Sequence, residues 1–65
     1  NARRQFNARV SINALRMVNE DPNAGTDEVV IDFITNLMHF DGKDSVESMF
    51  RIASDHYECE IAEEA

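Results

Sequence analysis

Residues 27–40, DEVVIDFITNLMHF, decide the fold of this chain. Set on a helix at about 100° per residue, Val29, Val30, Ile31, Phe33, Ile34, Leu37, Met38 and Phe40 fill an arc of about 200°. Only Asp32, Thr35, Asn36 and His39 occupy the other side. A helix apolar over so wide an arc needs cover from more than one neighbour. It is the central element of an all-α fold.

Breaks on either side of this segment define its neighbours. The preceding stretch, NEDPNAGTDE (residues 19–28), holds the only proline and one of two glycines, and reads as a loop running into a helix start. Thr26 is the expected N-cap, with Asp27 and Glu28 suited to the positive end of the helix dipole. The following stretch, DGKD (residues 41–44), places Gly42 to end the central helix. Asp44 with Glu47 resembles a capping box that opens another helix. The expectation is three helices, over residues 3–18, 27–40 and 44–62, in one small domain.

The last helix carries a narrower core stripe of Val46, Met49, Phe50, Ala53, Tyr57 and Ile61. Opposite it lie Glu47, Arg51, Asp55 and Glu58, where Arg51 has an acid four residues away in each direction. Ile52, His56 and Cys59 form a shoulder beside the stripe. The first helix has two apolar stripes, Phe6, Val10, Ala14 and Met17 on one side and Ala8, Ile12 and Leu15 nearly opposite. One small core can cover only one of them. The second stripe therefore argues for another chain, and a homodimer is expected with Ala8, Ile12, Leu15, Ile52, His56 and Cys59 at the contact.

Size points the same way. A chain of 65 residues buries only about 60% of the surface it exposes when unfolded. Disulfides, a metal or self-association usually supply what so small a core lacks. Cys59 is the only cysteine, so no disulfide can form within the chain, and a lone thiol fits a reducing cytoplasm. The hydrophobic content of 43% lies near the globular range, which argues against disorder. No apolar run is long enough to span a bilayer, and no signal peptide is legible, so no membrane role is expected. The chain opens on Asn1 and Ala2 rather than methionine, and these two residues read as a cloning remnant.

Charge is distributed unevenly. Residues 1–18 hold Arg3, Arg4, Arg9 and Arg16 and no acid, for +4; residues 19–65 set thirteen acids against Lys43 and Arg51, for −11. The acidic body repels nucleic-acid backbone, and only the first helix offsets it. Nucleic-acid association through those four arginines stays open as an alternative, beside pairing of the basic helix with an acidic surface. An acidic face that imitates nucleic acid and occupies a basic protein is a further reading.

The stretch DHYECE, residues 55–60, concentrates the chemistry. His56 and Glu60 have the i, i+4 spacing of helical metal ligands, with Cys59 one turn from His56 and with His39 and Asp41 in reserve. His39, however, lies on the polar side of the central helix, away from the arc that should face the last one. A small metal-binding protein using His56, Cys59 and Glu60 therefore remains an alternative, while the simpler reading needs no metal or other cofactor and leaves His56 and Tyr57 at the core margin. A nucleophile pair of Cys59 and His56 lacks any glycine-rich turn or oxyanion site, so catalysis is not expected.

Two segments, residues 34–40 (ITNLMHF) and 51–60 (RIASDHYECE), resemble small helical proteins of bacteriophages, prophages and other mobile elements. That group carries a Leu-x-His-aromatic element, a short break, and an Ala-x-x-His-Tyr-x-x-Glu element. The matching positions here are Leu37, His39 and Phe40, then Ala53, His56, Tyr57 and Glu60. The resemblance covers about half the chain, leaves the first helix unmatched and implies an origin and a helical fold without an activity. The resulting expectation is a non-catalytic, acidic, cytoplasmic interaction protein that binds itself, with a host protein as a further partner.

Overall fold

A computed structural model of the chain describes residues 1–64. It contains α1 (Ala2–Val18), α2 (Thr26–Asp41) and α3 (Lys43–Glu64), with no strand among the described residues. The fold is all-α with three helices, as the periodicity predicts. Asn1 and Ala2, which read as a remnant, belong to α1: Ala2 opens the helix, and Asn1 caps it. The Asn1 side-chain oxygen accepts from the Arg4 backbone N–H at 3.2 Å, and its carbonyl accepts from Gln5 at 3.1 Å. Both groups satisfy donors that a helix start otherwise leaves bare.

α1 ends in a Schellman motif. The Glu20 N–H donates to the Met17 carbonyl at 3.1 Å, and the Asp21 N–H donates to the Arg16 carbonyl at 3.0 Å. This pattern needs a left-handed residue at the position glycine usually takes. Here Glu20 takes it, at φ 56°. Beyond it, the Asp21 carboxylate accepts from the Asn23 N–H at 3.3 Å, and Ala24 is buried.

α2 and α3 each start one residue earlier than predicted. Val29 N–H donates to the Gly25 carbonyl at 3.0 Å, so Gly25 stands at the cap and Thr26 is the first helical residue. The Thr26 hydroxyl accepts instead from Arg16 Nη2 at 3.2 Å. At the second break, Gly42 has φ 89°. Its N–H closes α2 on the Met38 carbonyl at 2.9 Å, and its carbonyl opens α3 by accepting from Val46 at 3.2 Å. The expected pairing of Asp44 with Glu47 is therefore out of register. Glu47 meets Lys43 at 3.6 Å, and the Ser45 hydroxyl donates to Asp41 Oδ2 at 2.7 Å.

Gly42 alone separates two helices, and the hydrophobic pattern explains why the separation is needed. Were residues 26–64 one straight helix, the apolar arc of α2 and the stripe of α3 would point roughly 170° apart at 100° per residue. A break between them frees each face to find its own cover. Only glycine reaches φ 89° without penalty.

The chain divides into two compact units, one of residues 1–35 and one from Asn36 onward. α2 contributes to both units. The first contains α1, the loop and the start of α2, with Val29 fully buried; the second contains the end of α2 and α3, with Val46 fully buried. Apart from these two valines, each 1% exposed, only Ala24 is buried among the described residues.

Candidate functional site

α1 has no buried residue, yet its two sides are not equivalent. Ile12, Leu15 and Arg16 are half-buried, whereas Phe6, Val10 and Met17 are exposed. Of the residues expected to meet a second chain, Ile12 and Leu15 are half-buried and Ala8 is exposed. Ala8 and Ile12 line an open groove of about 360 Å³ within the first unit, together with Gln5, Arg9, Arg16 and Thr26. Hydrophobic periodicity reveals that two stripes exist, but which one is covered depends on where the following loop lands.

Arg16 fixes that landing. Its Nε donates to the Ala24 carbonyl at 2.8 Å, Nη1 to Asn13 Oδ1 at 2.7 Å, and Nη2 to the Thr26 hydroxyl at 3.2 Å. One guanidinium ties α1 to the loop and to the first residue of α2. Arg16 therefore serves the fold. Arg4 also interacts within the chain, which leaves Arg3 and Arg9 at full disposal. The signal for Arg16 lay in its position: a basic residue in the last turn of a helix can reach carbonyls beyond it.

On α3, Met49, Phe50, Ala53, Tyr57 and Ile61 are exposed along the stripe that continues from buried Val46. The stripe is covered at its start and open along its length. The shoulder residues Ile52, His56 and Cys59 are exposed as well. On α2, Leu37 and Met38 are half-buried, but Phe40 is 87% exposed. Of the residues carrying the mobile-element resemblance, Leu37 and Glu60 are half-buried, and His39, Phe40, Ala53, His56 and Tyr57 are exposed.

The chemistry that DHYECE raises finds no built site. Among the described residues, no group of three or more His, Cys, Asp or Glu side chains comes together in a way that could hold a metal. His56, Cys59 and Glu60 share a helix without converging, because one turn of helix offers neighbouring positions and not a third direction of approach. Cys59 is an exposed free thiol. The α1 groove is lined by no carboxylate, imidazole or thiol, so it offers no acid–base pair. No helix of the described residues is long and apolar enough to cross a membrane.

What the molecule does present is uncovered surface. Its large apolar side chains include Phe6, 61% exposed, Met17, 78%, and Tyr57, 65%. Comparison with family models, with curated proteins and with solved structures finds no match to this chain.

Proposed function

We propose that this chain is a non-catalytic helical interaction module that works as a homodimer, with its acidic face left to engage a further protein. The observation that carries this reading is the exposed apolar surface on all three helices, from Phe6 on α1 through Phe40 on α2 to Ile61 on α3. The resemblance of residues 34–40 and 51–60 to proteins of phages and mobile elements supports a small, dedicated binding protein of such an origin. The single thiol supports a reducing cytoplasmic setting.

Sedimentation across protein concentrations, at low and moderate salt, tests the reading. A species of twice the 7.4 kDa chain mass, weakened by salt, is the expected result. A helical monomer at the highest concentration would remove self-association from the function.

A further inference from the structure

We draw no further inference here: the strongest candidate, the open groove along α1 in the first unit, lined by Ala8, Arg9, Ile12 and Arg16, carries nothing because nothing in the structure shows what covers it.

Discussion

The chain turns twice, and it solves the two turns by opposite means. Between α1 and α2 it spends seven residues, a Schellman motif, a left-handed glutamate and an arginine anchored at three points. Between α2 and α3 it spends one residue, Gly42, whose N–H and carbonyl each continue a helical ladder. The first turn is held by polar side chains that specify where the loop goes. The second is held by backbone conformation alone, with Lys43–Glu47 and Ser45–Asp41 as exposed local support. With two fully buried side chains among the described residues, hydrophobic packing constrains neither turn strongly. Turn chemistry carries more of the fold here than it would in a larger protein.

Removing the anchor should have the largest effect. Arg16→Ala deletes three hydrogen bonds and leaves the part-buried Ala24 carbonyl without its partner, a change worth about 1–3 kcal/mol. In a domain of this size that is a large share of the total stability. Urea unfolding followed by circular dichroism should show a midpoint shifted well down, and Arg16→Lys should recover only part of it, since an ammonium cannot reproduce the fork. A loss below about half a kcal/mol would mean that the first turn, like the second, is held by its backbone.

The two turns also differ in how far the sequence discloses them. Gly42 is legible because glycine after an apolar run has one dominant meaning, and the helices on either side follow from period alone. The first turn is legible as a loop, but its mechanism is not. Thr26 looks like a cap because local chemistry favours threonine there, and only a contact from ten residues upstream gives its hydroxyl another role. Arg16 and Arg9 look alike on the helical wheel and both line the open groove, yet Arg16 is also the tie to the loop. The stripes of α1 were visible as a pair, while their roles depended on this same tie. A local pattern shows which groups share a face; which face is covered is settled by contacts between residues distant in sequence.

Gly42→Ala probes the second turn. A Cβ built at Gly42 meets nothing within 4 Å, so no clash arises and the effect isolates the backbone. At φ 89° an alanine is strained by about 1–2 kcal/mol, offset in part by the smaller entropy of the unfolded chain. The expected net loss is about 1 kcal/mol, read as a lower midpoint in the same urea experiment. A variant of unchanged or higher stability, with more helix by circular dichroism, would mean that residues 26–64 can run on as one helix and that the turn is optional.

Glu20→Gly applies the reverse test to the first turn, with a smaller effect of opposite sign. Glycine relieves the left-handed strain at φ 56°, but it also loosens the unfolded chain. Removing a negative charge beside the C-terminus of α1 adds a few tenths of a kcal/mol. The net expectation is a gain of about half a kcal/mol, and a higher midpoint. Glu20→Gln separates the two contributions: it removes the charge and keeps the strain, so it should recover only the smaller part. If Gln and Gly stabilise equally, the strain that glycine relieves is cancelled by the looser unfolded chain, and the dipole explains the net gain. If Gly exceeds Gln, the first turn holds a residue in a conformation that glycine adopts freely at the second, and the Arg16 tie is what keeps it there.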